Sequence, residues 1–348
     1  MIKVLIVDDS RVIREFMTHL LSSDPDIQVI GVACSGEEAI AQVYEKRPDV
    51  IAMDIHMPGM NGYEATRVIM ETIPTPIVIV TGSLKETEIS NSFKLIEAGA
   101  LAIVLRPPGM ENPGFDAARK ELLRNIKLMS EIKVVRRFPN QMHKRIPIDL
   151  RIPKKSVSDS KDIQLVAIGS STGGTIVLQT ILSNLPKDFP VPVLIVQHIA
   201  KGFLNGLKDW LSATSNLPVN IATEGEFMQP GQVYLAPDNL QMGITADNRI
   251  ELRNMPAENS LCPSVDYLFR SVAKVLGDRA VGVLLTGMGK DGASELLTMK
   301  KHGAITIAQD EASCVVFGMP GEAVKIGAAD RILSPEKIAE ALAAICML

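Results

Sequence analysis

Along the first third of the chain, short apolar runs alternate with stretches whose apolar residues recur every three or four positions. Ile2 to Val7, Val29 to Ala33, Val50 to Met53, Ile77 to Val80 and Leu101 to Leu105 are rich in β-branched residues. Such runs suit strands buried on both faces of a parallel sheet. Between the first two, Ile13, Phe16, Met17, Leu20 and Leu21 form one helical stripe. Five strands separated by helix-length segments predict a doubly wound α/β domain over about residues 1–130.

The alternation stops over 131–162 and resumes at Ile163. Leu165 to Ile168, Val193 to Val196, Val281 to Leu285 and Ala304 to Ala308 are the next strand candidates, with helices expected at 174–185, 201–213, 264–276, 291–302 and 335–346. Turn residues crowd 217–252 and predict antiparallel strands there. A second doubly wound, mostly parallel α/β domain with an antiparallel edge is therefore expected over 163–348.

Composition agrees with two domains. The chain has 348 residues, 46% of them apolar and 22% charged, which excludes a disordered chain. A net charge of −4 gives no electrostatic case for a nucleic-acid binder. Residues 133–162 hold nine Lys or Arg against three Asp or Glu. Prolines punctuate this stretch and aromatic interleaving is absent, so it reads as an exposed linker rather than a nucleic-acid patch. No apolar run approaches the roughly 18 residues of a membrane span, and MIKVLIVDDS meets acidic residues too soon for a signal peptide. The four cysteines, Cys34, Cys262, Cys314 and Cys346, are scattered, which fits reduced thiols and a cytoplasmic location.

Polar residues then mark the strand ends. Asp8 and Asp9 close the first strand and Asp54 the third; Thr81 closes the fourth, and Arg106-Pro107 the fifth. Ligands of doubly wound sheets bind outside these carboxyl ends. Three converging carboxylates repel one another unless a cation intervenes, which makes Mg²⁺ the natural occupant. A carboxylate beside Mg²⁺ also suits nucleophilic attack on a phosphoryl group. The plainer reading, that Asp8 or Asp9 caps the next helix, covers only one of these positions.

With VDDS, MDIHMPGMNG and VTG in order and at the family's spacing, residues 1–130 resemble a response-regulator receiver domain. The resemblance implies a flavodoxin-like fold and Asp54 as phospho-acceptor. It also implies Mg²⁺ held by Asp8, Asp9, Asp54 and the His56 backbone carbonyl, with Thr81 and Arg106 contacting the phosphoryl group. Arg106 stands where the family has Lys. A planar fork replaces a compact point charge, so the exchange bears on how phosphorylation couples to output.

In the second domain, Gly169-Ser170-Ser171-Thr172-Gly173-Gly174 lies between a strand and a helix and fits G-x-S-x-G with Ser171 central. A plain structural turn is the competing reading, while the phosphate-loop patterns are absent. A nucleophile needs a base. Of five histidines, His19 lies on a receiver helix, His56 follows Asp54, His143 is in the linker and His302 precedes a helix-ending glycine. That leaves His198, directly after a buried strand, although a strand-end histidine is more often structural. Asp291, in TGMGKDG after the strand Val281 to Leu285, is either the orienting carboxylate or a helix cap.

Residues 163–348 resemble the catalytic domain of the protein-glutamate methylesterases of bacterial chemotaxis, through GSSTGG, VQH, PSVD (263–266), LTGMGKDG and EASCVVFGMP (311–320). The resemblance implies Ser171 as nucleophile, His198 as base and acid, Asp291 as its orienter, and the Thr172 and Met288 N–H groups as oxyanion hole. It implies hydrolysis of glutamate γ-methyl esters on chemoreceptor helices, extending to glutamine side-chain amides, with no metal for the hydrolysis. Its expected partners are methylated chemoreceptors and a chemotaxis histidine kinase. It also implies that phosphorylation of the receiver regulates the hydrolase. A non-enzymatic module, in which the receiver gates a binding surface, is the competing class; it requires Ser171, His198 or Asp291 to be dispensable.

Overall fold

In the computed structural model, which describes residues 1–82, 95–132, 134, 162–258 and 261–347, the alternation of the sequence becomes a five-stranded sheet, a seven-stranded sheet and a two-stranded ribbon. The chain divides into two compact units, Met1–Ser158 and Asp159–Leu348. Apart from Glu131, Ile132, Val134 and Asp162, the stretch expected as linker lies outside the described residues.

The first unit carries β1 (Ile2–Val7), β2 (Ile27–Ala33), β3 (Val50–Met53), β4 (Ile77–Thr81) and β5 (Ala102–Leu105). They pair in the order β2-β1-β3-β4-β5, every pairing parallel. Helices α1 (Arg11–Ser22), α2 (Gly36–Lys46), α3 (Gly62–Thr72) and α4 (Phe115–Ser130) belong to it, and residues 95–98 are helical as well. Local chemistry starts the helices: Ser10 Oγ accepts the Ile13 N–H, Ser35 Oγ accepts that of Glu38, and Asn61 and Glu64 form a capping box. Ser10, not Asp8 or Asp9, caps α1. The order reverses between β1 and β3, which opens a crevice beyond Val7 and Met53.

The second unit carries β6 (Leu165–Ser170), α5 (Gly174–Asn184), β7 (Val193–Gln197), α6 (Leu204–Thr214), β8 (Val219–Ile221) and β9 (Val233–Leu235). There follow β10 (Gln241–Ile244), β11 (Ile250–Arg253), α7 (Val265–Leu276), β12 (Ala280–Leu284) and α8 (Ala293–Lys301). The chain ends through β13 (Ile305–Gln309), α9 (Met319–Lys325), β14 (Arg331–Leu333) and α10 (Pro335–Cys346). The main sheet has the order β14-β13-β12-β6-β7-β9-β8. β6, β7 and β12 are buried throughout, as their unbroken apolar runs require. Helix α7 lays Val265, Leu268, Phe269, Val272 and Leu276 over the core. Each such buried side chain contributes roughly 1.5–3 kcal/mol. At Gly169, a Cβ would come within 2.2 Å of Val265 Cγ1, so the glycine lets α7 lie against β6.

The antiparallel edge expected from 217–252 takes a different form. β8 and β9 pair in parallel, and all pairings of the main sheet are parallel. The antiparallel pairing is that of β10 with β11, a separate two-stranded ribbon. Turn residues mark where a chain reverses but not which strand it rejoins. β14 and α9 were not foreseen, being three and seven residues long and lacking a full period. Among the described residues, no helix is long and apolar enough to cross a membrane.

Candidate functional site

Ser171 and His198 are the first residues beyond β6 and β7. The strand register pairs Ser170 with Gln197, and the His198 N–H donates to Ser170 O at 2.9 Å, so the two residues leave the sheet side by side. Asp291 arrives from the other neighbour, β12, through the loop 285–292. The Ser171 N–H donates to Thr286 O at 3.0 Å, tying that loop to the strand end. Because β6 leads toward β7 and β12 toward β13, the order reverses between β6 and β12. The three residues gather around this reversal.

Nε2 of His198 lies 3.0 Å from Asp291 Oδ2. The approach falls off the line of a ring N–H bond, so the contact is a close approach rather than a straight hydrogen bond in this geometry. The His198 side chain is 14% exposed and that of Asp291 3%. Among the described residues, no hydrogen bond joins Ser171 Oγ to His198. Catalytic hydrogen bonds in ligand-free sites are often long and tighten around the substrate.

Asp291 does cap a helix, but not the one it precedes. Its Oδ2 accepts the Val265 N–H at 2.7 Å, and its Oδ1 accepts the Asp266 N–H at 3.1 Å and the Ser264 hydroxyl at 2.9 Å. α8 begins instead after Gly292. Burial alone would raise the Asp291 pKa; the contact with His198 and the N–H donors outweigh it and hold the carboxylate below its usual range. Asp266 is pushed the other way, up to about 6, by burial and by the charge of Asp291. Ser264 and Asp266 belong to PSVD, and no periodicity marks them as part of this site.

Ser171 sits in a sharp turn. The Gly174 N–H donates to Ser171 O at 2.9 Å, and Gly173 adopts φ 77°, a left-handed conformation that glycine takes without strain. The helix α5 then starts beside the serine, N–H groups foremost. Among the described residues, the Thr172 N–H has no protein acceptor, as an oxyanion donor requires. The segment 314–319 wraps over the loop carrying Met288: Gly287 N–H donates to Val316 O, and Gly318 and Met319 N–H groups donate to Gly287 O. Thr286 Oγ1 donates to Thr172 O at 3.0 Å and accepts the Val316 N–H at 2.9 Å. A pocket of about 180 Å³ opens beside His198, lined by Lys201, Asp238, Asn239, Cys262 and Pro263 among others.

The first unit gathers its own predicted residues. Asp8, Asp9 and Asp54 each offer an oxygen within 4.8 Å of the others. Burial, then the charge of Asp8, raises the Asp54 pKa to about 6, and burial raises that of Asp8. Three hard oxygen donors, in which the charge of Asp9 raises the proton affinity of Asp8 and that of Asp8 raises the proton affinity of Asp54, fit Mg²⁺. The His56 N–H donates to Asp54 Oδ2 at 3.2 Å. Thr81 is buried at the end of β4, and Arg106 Nη1 stands 3.6 Å from Asp8 Oδ2. The Arg106 guanidinium fills the space over Gly82, where a Cβ would come within 2.1 Å of it. Arg14, one turn into α1, was not foreseen; it donates to the carbonyls of Asp8 and Asp9 at 2.7 and 2.9 Å and fixes their backbone.

Comparison with known proteins agrees over both units. Residues 4–112 match the response regulator receiver domain family, and residues 166–342 match the family described as CheB methylesterase. The protein-glutamate methylesterase/protein-glutamine glutaminase 1 of Syntrophus aciditrophicus is 51% identical over 346 residues, covering 98% of this chain and 97% of that one. The corresponding protein of Nitrosospira multiformis is 52% identical over 342 residues, covering 98% and 96%. The crystal structure of the Thermotoga maritima CheB methylesterase catalytic domain is 40% identical, with a TM-score of 0.52, and covers 53% of this chain and 98% of that one. With this similarity running through both units, the chain belongs to the protein-glutamate methylesterase/protein-glutamine glutaminase family, a receiver domain followed by a methylesterase domain.

Proposed function

We propose that the protein hydrolyses glutamate γ-methyl esters on cytoplasmic helices of chemoreceptors, releasing methanol, and deamidates glutamine side chains at the same site. The observation that carries this reading is the convergence of Ser171, His198 and Asp291 at three adjacent strand ends, with His198 Nε2 3.0 Å from Asp291 Oδ2. Because Nε2 is turned to Asp291, Nδ1 is the nitrogen that takes the Ser171 proton. Ser171 Oγ then bonds to the ester carbonyl carbon, and the Thr172 and Met288 N–H groups stabilise the oxyanion. The C–O bond to the methoxy group breaks, His198 returns the proton, and methanol leaves. Water, activated by His198, cleaves the glutamyl-serine ester and restores the free serine. With a glutamine side chain the leaving group is ammonia.

The receiver supplies regulation in this proposal. Asp54 accepts a phosphoryl group from a chemotaxis histidine kinase, with Thr81 and Arg106 contacting its oxygens. Asp8, Asp9, Asp54 and the His56 carbonyl would hold Mg²⁺, which neutralises charge on the transferring group. The unphosphorylated receiver lowers hydrolysis and phosphorylation relieves it, all within the cytoplasm where receptor helices and kinase lie.

Methanol release from methylated receptor cytoplasmic fragments tests the chemistry. Wild type releases it and Ser171→Ala does not; wild type without release, even with Mg²⁺ and a small phosphodonor, sinks the proposal. Removal of residues 1–150 tests the regulation by raising basal release, and a truncated enzyme no faster than the full chain rejects the inhibitory role.

A further inference from the structure

β7 is apolar through Val193, Leu194, Ile195 and Val196 and then closes on a buried glutamine. A buried polar residue at the end of such a run asks for a reason. Its side-chain Nε2 donates to Ser171 O at 2.8 Å and to His198 O at 2.8 Å. One amide thus bridges the carbonyls of the two residues placed as nucleophile and base. The backbone ladder between β6 and β7 ends at the pair Ser170 and Gln197. Past that point the chains part, one into the turn toward α5 and the other into the loop before α6. The amide continues the ladder by one step with side-chain donors.

The cost of this arrangement is visible. Gln197 Oε1 and Ser170 Oγ are both buried without a hydrogen-bond partner. Both crowd the point where a Cβ on Gly174 would stand, at 2.8 and 1.8 Å from it. A side chain chosen for stability alone would not leave an orphaned acceptor in a core. The two donors aimed at Ser171 and His198 are what the glutamine offers that an apolar residue does not.

We infer that Gln197 is a positioning residue that holds Ser171 and His198 in register through its side-chain amide. The inference rests on the Ser-His-Asp reading proposed above. Gln197 touches no reacting atom in this scheme. It fixes the spacing of two residues that must exchange a proton, and a displacement of about 1 Å there reduces turnover by roughly 100-fold.

The test uses the full-length protein and two substitutions of similar size, Gln197→Met, which removes both donors, and Gln197→Glu, which keeps the shape and presents a carboxylate to the two carbonyls. Folding is read by circular dichroism, and rates are expressed per mole of folded protein. Two rates are measured: methanol release from methylated receptor fragments, and labelling of Ser171 by a fluorophosphonate, which needs an activated serine but no particular acyl substrate. Both variants are expected to lose about 100-fold in kcat and a similar factor in labelling rate, with KM within about twofold of wild type. A folded variant that turns over and labels at the wild-type rate overturns the inference, as does a loss confined to KM or to the folded fraction. Wild type that is labelled at Ser171 but releases no methanol defeats the substrate assignment alone, and the labelling rates still decide the role of Gln197. Wild type that is not labelled overturns both.

Discussion

Asp291 and Asp266 cap each other's helices. Asp291 accepts the N–H groups of Val265 and Asp266 at the start of α7, while Asp266 Oδ1 accepts the Gly292 N–H at 3.0 Å and the Ser294 hydroxyl at 3.1 Å at the start of α8. Two buried carboxylates are thereby held close, and one must yield in proton affinity. Asp291, with His198 and the larger set of donors, keeps its charge; Asp266 takes the upward shift. The carboxylate proposed to orient His198 is therefore part of the packing that joins α7 to α8.

That double role predicts a double loss for Asp291→Asn. The amide keeps the size but presents no charge to His198, and only one of its two polar atoms still accepts an N–H. Methanol release should fall by about 10³- to 10⁴-fold, the scale on which losing such a carboxylate acts elsewhere. Stability should fall as well, by about 1 kcal/mol or more for the lost cap. Steady-state kinetics and urea unfolding on the same preparation check both; an inactive variant of unchanged stability removes the structural half of the argument.

The raised pKa of Asp266 sets a direction for stability against pH. The folded protein holds this proton up to about pH 6, whereas the unfolded chain releases it near 3.8. Between those values the folded state binds more protons, so the contribution of Asp266 is present below about pH 4 and is lost as pH rises to about 6. Asp266→Asn removes this loss while its side-chain oxygen can still accept the Gly292 N–H. Relative to the variant, wild type should lose on the order of 1–3 kcal/mol between pH 4 and pH 6. Urea midpoints of the two proteins across that window decide it, and parallel curves would falsify the assignment.

Gly287 leaves room for Ser171. A Cβ there would lie 2.7 Å from Ser171 Cβ and 2.3 Å from Met319 Sδ. Gly287→Ala should push the loop and Ser171 apart, at a cost of about 1–3 kcal/mol in overpacking. Activity should fall further than stability, because the displaced atom belongs to Ser171, the proposed nucleophile. Fluorophosphonate labelling measured beside thermal unfolding separates the two effects; normal labelling in a destabilised protein contradicts this account.

In the receiver, Asp54 is pushed up to about 6 by burial and the charge of Asp8. A divalent cation among Asp8, Asp9 and Asp54 would relieve that repulsion. Mg²⁺ should raise the unfolding midpoint of the receiver, by an amount equivalent to about 2.7 kcal/mol at 100 times its dissociation constant. Asp54→Asn should weaken the effect and abolish phosphate incorporation from a small phosphodonor. Calorimetry with and without Mg²⁺ provides the check; a midpoint indifferent to Mg²⁺ rejects the site.

Much of the fold is legible from local order alone. The buried strands are continuous β-branched runs, and the first three helices begin at Ser10, Ser35 and Asn61 because those side chains accept N–H groups three residues on. The candidate site residues were legible for the same reason: Asp8, Asp54, Ser171 and His198 are polar groups standing where an apolar run stops, and this depends only on neighbours in sequence. What the tertiary structure decided depends on which strands lie side by side. Strand order brings β12 next to β6, gives Asp291 to a helix 26 residues before it, and aims Gln197 at a carbonyl 26 residues away. It also sends β8 and β9 into the parallel sheet and leaves β10 and β11 as a ribbon. Such pairings are selected by burial of whole sheet faces and by the direction of each crossover, quantities that belong to the assembled unit and are written in no single stretch of residues.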